Sequence, residues 1–182
     1  FFEREGNRIK EIVGSVAGLK SSHIQTLKRL YRRKVNPKEI ISSELARRIT
    51  EISMTINRQV GVLISRRGEV VTVLLGNAFS IMLPDLSGFR MGQGNLKGLR
   101  FIHSHLNSAP LDQEDITDLR MLRLDLVGVL HYGSSGIPGT LSIASLDPSD
   151  EVAGCEISTR SLESWHQLDY EVWISELTTR LQ

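Results

Sequence analysis

The sequence is poor in the residues that lock small folds together. It has one cysteine, Cys155, among 182 residues. That excludes an internal disulfide and a cysteine-built zinc cluster, and it suits a reducing, cytoplasmic setting. No apolar run approaches the roughly 18–20 residues that span a bilayer, so no membrane partner is expected. The opening FFEREGNRIK is charged and does not form a secretory signal. Neither charge dominates: 22 Lys and Arg against 21 Asp and Glu leave a formal +1. There is therefore no global attraction to nucleic acid or lipid, and any such contact must come from a local cluster. No GxxxxGK[ST] phosphate loop occurs anywhere. What remains is a chain 40% hydrophobic and 24% charged, enough for one globular domain with a real core plus an appended helix.

The informative stretch is Leu99–Leu119, LRFIHSHLNSAPLDQEDITDL. Leu99, Phe101 and Ile102 lead into His103-Ser104-His105, and a polar loop then reaches a helix start rich in carboxylates: Asp112, Glu114, Asp115 and Asp118. Histidines at i and i+2 on an extended segment point to one side of it. Asp115 can fold back towards them. Two imidazoles and one carboxylate match the ligand count of a catalytic zinc site, which keeps its fourth position open for water. The same residues also fit a purely structural reading. The histidines would be strand residues satisfied by a helix carboxylate, and Asp112 would be an N-cap or ligand support.

The rest of the pattern predicts an α/β fold, a mixed sheet flanked by helices. Residues 1–20 read as an N-terminal arm or edge strand. Ser21-Ser22 read as the cap of a first helix, which ends at Asn36-Pro37. It carries a basic window of Lys28, Arg29, Arg32, Arg33 and Lys34. This is either a solvated helix end or an RNA contact. A second helix spans about 43–57. A hairpin follows over 60–75, and a third strand over 78–83. The loop Pro84–Gly98, with Gly88, Gly92 and Gly94, is read as a flexible connection. Beyond the strand 99–104 and the helix from Asp112, strands are expected at 126–132 and 141–146. A polar connection over 150–159 leads to one amphipathic helix, 160–181, carrying Trp165, Leu168, Trp173 and Leu177. The expected units are the arm 1–20, an α/β domain 21–148, and a linker with helix 149–182.

His103-Ser104-His105 followed by Asp115 resembles the JAMM-type (MPN-domain) metalloprotease signature HxHP…SxxD and its RadC relatives, over about residues 58–146. The resemblance implies a three-layer sandwich of the JAMM or cytidine-deaminase kind. It also implies zinc on His103, His105 and Asp115, and peptidase or isopeptidase chemistry. The sequence departs from the pattern. Leu106 replaces Pro, Asp112 replaces the Ser that helps hold the oxyanion, and the His105–Asp115 spacing is about one residue short. The family's catalytic Glu, near the start of the first hairpin strand, has no counterpart in Asn57-Arg58-Gln59-Val60; Glu51 lies upstream and Glu69 at the strand's far end. Ligands without a base bind metal without hydrolysis.

A longer resemblance runs over residues 14–182. GLKSSHIQTLKRLYRRKV, ELARRITEISMTINRQVGVLISRRGEV, LPDLSGFRMGQGNLKGLRFIHSHL, LDQEDITDLRMLRLDLVGVL and ESWHQLDYEVWISELTTRLQ together resemble the N-terminal extension of long-form bacterial HflX-type GTPases. This implies a non-catalytic accessory or regulatory domain of a ribosome-associated GTP-binding protein. GTP and Mg would bind only in a G domain outside these residues. The partners implied are the rest of that GTPase chain and ribosomal RNA, with a homodimer through the C-terminal helix as a further expectation.

Overall fold

The computed structural model describes residues 11–83, 98–106, 109–146 and 154–181. Among them a seven-stranded mixed sheet runs in the order β1-β3-β2-β4-β5-β6-β7. The strands are β1 (Ile12–Val13), β2 (Val60–Ser65), β3 (Val70–Leu75), β4 (Leu99–Ser104), β5 (Leu126–Tyr132), β6 (Pro138–Leu146) and β7 (Cys155–Ser161). The helices are α1 (Ser21–Arg29), continued by a 3₁₀ turn over Leu30–Arg32, then α2 (Ser43–Ile56), α3 (Gln113–Leu122), α4 (Leu162–His166) and α5 (Tyr170–Leu181).

Local chemistry accounts for the boundaries. Ser42 caps α2 by accepting the Leu45 N–H at 3.1 Å. Asn57, left-handed at φ 54°, ends it. At α1 the cap position is Lys20, with no side-chain hydrogen bond, and Ser21 and Ser22 lie inside the first turn. The β2–β3 hairpin closes through Gly68, whose φ of 85° and close approach to the Val35 carbonyl leave no room for a Cβ.

Helices α1, α2, α4 and α5 cover one face. There Leu27, Leu45, Ile49, Trp165, Tyr170 and Ile174 pack with Val60, Val62, Ile102 and Leu141. Helix α3 covers the other, setting Leu119 against Leu63, Phe101, Val127 and Ala144. The result is three layers, and burying each large aliphatic side chain is worth about 1.5–3 kcal/mol. Alternation along β4 follows: Phe101 and His103 face α3, while Ile102 joins the opposite core.

Three expectations are corrected. Residues 78–83 form no strand, because the Asn77 carboxamide oxygen accepts the Phe79 and Ser80 N–H groups at 2.7 and 2.8 Å and turns the chain. Residues 155–161, expected as the end of a polar connection (to 159) and the start of the helix (160–161), are strand β7, paired with β6 from Cys155↔Leu146 to Ser161↔Thr140. Only Cys155 and Ile157 are apolar, both on the α3 side, and the other five residues are polar, so the alternation is too short to announce a strand. The C-terminal helix starts later and is two helices. Ser161 caps the first by accepting the Ser164 N–H, and the Asp169 carboxylate accepts the Val172 N–H to restart the second. The glycine-rich stretch 84–97 lies outside the described residues, as does residues 1–10 of the arm. No helix among the described residues is long and apolar enough to cross a membrane.

Candidate metal centre

Strands β4 and β5 run parallel and are joined through α3. The carboxyl end of such a strand, facing the start of the connecting helix, is where open α/β sheets hold ligands. His103 and His105 leave the sheet at that point. Asp112 caps α3 by accepting the Asp115 N–H at 2.9 Å, and the Asp115 carboxylate accepts the Asp112 N–H at 3.0 Å. This reciprocal capping box fixes the Asp115 carboxylate at the helix entrance.

The three side chains converge. His103 Nε2 lies 2.9 Å from Asp115 Oδ1, His105 Nε2 lies 3.3 Å from Asp115 Oδ2, and the two Nε2 atoms are 3.0 Å apart. The residues are 1%, 3% and 4% exposed, so the cluster is closed to water. His105 Nδ1 sits 2.9 Å from the Pro110 carbonyl and 3.1 Å from the Ala109 carbonyl. Both partners accept, so Nδ1 carries the proton and donates it. In the neutral ring, Nε2 then presents a lone pair. This backbone support is the orienting contact that metal-ligating histidines use.

Positive charge is what the cluster lacks. Burial pulls the His105 pKa down, but the Asp115 hydrogen bond and the charges of Asp115 and Asp112 outweigh it and raise the value. Burial pushes Asp115 up, yet hydrogen bonds from His103 and His105 hold it far below the usual carboxylate range. Either a proton or a cation must sit among three atoms that otherwise all accept. A group of two imidazoles and one carboxylate with ligand atoms within 4.8 Å of one another can hold a metal ion. Two ligands about 2.1 Å from a tetrahedral ion are about 3.4 Å apart, so the observed separations need only small adjustments. His103 Nδ1 is buried without a hydrogen-bond partner, which leaves Nε2 as the atom of that ring committed to the cluster.

One supporting feature escaped sequence reasoning, and one named residue takes on a property that only the structure shows. Gly61 pairs with His103 across β2 and β4. A Cβ there would meet Phe101 Cε1 at 2.6 Å and His103 Cβ at 2.8 Å, so the glycine makes space for the stacked Phe101 and His103 rings. The signal was a lone glycine inside an apolar strand. The second is Asp118, one turn beyond Asp115. Burial first, and then the charges of Glu114, Asp115 and Asp112, push its pKa up to about 6.

The position at which the JAMM pattern has its Glu is used for structure. Asn57 terminates α2, the Arg58 guanidinium donates to the Gly76 carbonyl, and the Ser53 hydroxyl donates to the Arg58 carbonyl. Glu51 is exposed on α2, across the sheet from the cluster, and Glu69 is at the far hairpin turn.

The basic window is elsewhere. Lys28, Arg32, Arg33 and Lys34, with Tyr31, Glu69 and Val70, line a groove of about 500 Å³. Antiparallel register between β2 and β4 puts this groove at the opposite end of the sheet from His103. Arg33 is held by Glu44 at 2.8 Å, while Lys28, Arg29, Arg32 and Lys34 are exposed. Compared with protein-family models and with the curated proteins, the chain matches none.

Proposed function

We propose that this chain is a metal-holding, non-hydrolytic accessory domain, with zinc bound by His103, His105 and Asp115. The observation that carries this is the convergence of three buried ligand atoms with His105 Nδ1 already anchored on backbone carbonyls. Zinc suits the donor set, and when bound it would replace the proton and fix the β4–α3 corner. Closure of the site and the structural use of Asn57-Arg58 both favour holding over hydrolysis. The setting we infer is the N-terminal part of an HflX-type GTP-binding protein acting at the ribosome. Support comes from the sequence blocks described above and from a groove with four basic side chains suited to phosphate. Such contacts are salt-dependent and indifferent to base sequence.

The test is metal analysis of untagged protein, followed by reconstitution with zinc. One ion per chain, lost in His105→Ala, is expected; no uptake by folded protein overturns the metal reading. For the ribosomal setting, reversing Arg32 and Arg33 to Glu should weaken co-sedimentation with ribosomes at low salt. Unchanged co-sedimentation removes it. A second reading, a JAMM-like zinc peptidase or isopeptidase, is favoured by the same triad. It requires peptide cleavage by the zinc-loaded protein that disappears with Asp115→Asn.

A further inference from the structure

The two edges of the sheet are unlike. At one edge β1 is only two residues long. At the other, β7 offers seven residues, CEISTRS, with neither proline nor lysine to discourage pairing. Among the described residues β7 pairs only with β6. Its outer row of backbone groups is a template for another strand. The strand's two faces are fixed from within. Thr159 lies on the α3 side, its hydroxyl 2.7 Å from that of Ser142, and Cys155 packs into the α3-side core. Arg160 lies on the other, its guanidinium 4.6 Å above the Trp165 ring. By alternation Glu156 and Ser158 share the face of Arg160, and Ile157 shares that of Thr159.

We infer that β7 pairs antiparallel with β7 of a second copy about a two-fold axis at Ser158, joining two sheets into one. What selects a second copy is self-complementary charge. In that register Glu156 stands opposite Arg160 of the second copy, and the two-fold axis repeats the pair. Ile157, 56% exposed, then stands opposite Thr159, and Cys155 opposite Ser161. Every neighbouring register breaks this match. Helix α5 has less to offer a second copy, because its Tyr170 and Ile174 are already buried within the chain. The contact is narrow, which makes a weak, concentration-dependent dimer.

The experiment is light scattering with size exclusion over about 10–500 µM, the range in which a small interface is populated. Wild type should shift from monomer to dimer. Glu156→Arg sets like charges opposite each other twice, and should raise the dimer dissociation constant about tenfold. The swap Glu156→Arg/Arg160→Glu restores the match and should recover most of that loss, a rescue that a merely unfolded edge would not show. The inference is overturned by a wild type that stays monomeric, by a dimer indifferent to Glu156→Arg, or by a swap that does not rescue. Slow exchange of the β7 amides that face away from β6, measured in the monomer, also overturns it, since the chain would then be covering its own edge.

Discussion

The two ends of β4 carry two buried polar clusters, and they are built on opposite terms. At the amino end, Arg100 is fully buried and each of its three nitrogens donates. Nε reaches the Ile40 carbonyl at 2.6 Å, and the two terminal nitrogens reach Ser65 and Glu39 carbonyls at 2.8 and 3.1 Å. The guanidinium lies 4.4 Å over the Tyr170 ring, and Tyr170 also donates to Asp125, which Arg66 grips with two bonds of 2.9 Å. Burial lowers the Arg100 pKa, with Tyr170 and Asp125 opposing the shift. At the carboxyl end, up to five residues on, two imidazole nitrogens and a carboxylate converge on one place that a proton or a cation can fill. The first end is complete by itself and staples α5 and the α1–α2 connection to the sheet. The second is a group that could hold a metal ion. Polar burial in one strand therefore serves stability at one end and leaves a group that could hold a metal ion at the other.

That contrast can be broken most strongly at Arg100. Arg100→Ala strands the buried Ile40 carbonyl and the half-buried Ser65 and Glu39 carbonyls, and at about 1–3 kcal/mol each the expected loss is about 4 kcal/mol in urea denaturation. Zinc content of the molecules that remain folded should not change. If zinc is lost as well, the two ends are not independent.

The next effect belongs to the other end. At a hundredfold excess over its dissociation constant, zinc should stabilise wild type by about 2.7 kcal/mol at pH 8, and His105→Ala not at all. The proton competes for the same place, so the gain should shrink as pH falls through the raised His105 value. Without metal the signs are as follows. The lowered Asp115 contributes stability above its ordinary 3.8, lost as pH falls through its depressed value. The raised His105 contributes below its ordinary 6.5, lost as pH rises through its elevated value. Metal-free protein thus gains most from the cluster in weakly acid solution, and zinc takes over above it. Thermal melts with and without chelator across this range check both arms.

Gly61→Ala is a finer probe. Its Cβ must displace the Phe101 or His103 ring, costing about 2 kcal/mol by overpacking, and tilting His103 should weaken zinc about tenfold. An unchanged zinc affinity would show that His103 is not held by this packing. The smallest effect is at Asp118. Its carboxyl prefers its proton up to about pH 6, so ionisation opposes folding above that and not below about pH 4. Asp118→Asn should add less than about 1 kcal/mol at pH 8 after solvent screening, and nothing at pH 4.

Much of the frame was legible. The apolar runs of β2, β3, β4 and β5, the Ser42 cap, and the carboxylates opening α3 all speak through local periodicity and capping. Strand β7 did not, because CEISTRS gains its strand state from hydrogen bonds to β6 and not from an apolar face. The supposed strand at 78–83 failed for the converse reason: Phe79 and Ile81 looked like strand residues, but the Asn77 side chain captures the local N–H groups. No local pattern marks Arg100 as buried. Only the approach of residues 39–40, Ser65 and Tyr170 turns it inward.

The sequence by itself determined the residue types of the candidate centre, the strand that carries two histidines on one side, and the helix start that carries their carboxylate. Those rest on periods of two and 3.6 and on capping, which act within a few residues. The tertiary structure decided which lone pairs meet. Parallel pairing of β4 with β5 returns α3 over the sheet. Gly61 yields space to the His103 ring, and the Ala109 and Pro110 carbonyls orient His105. Those contacts depend on where separate segments come to lie, and no local rule sets that position.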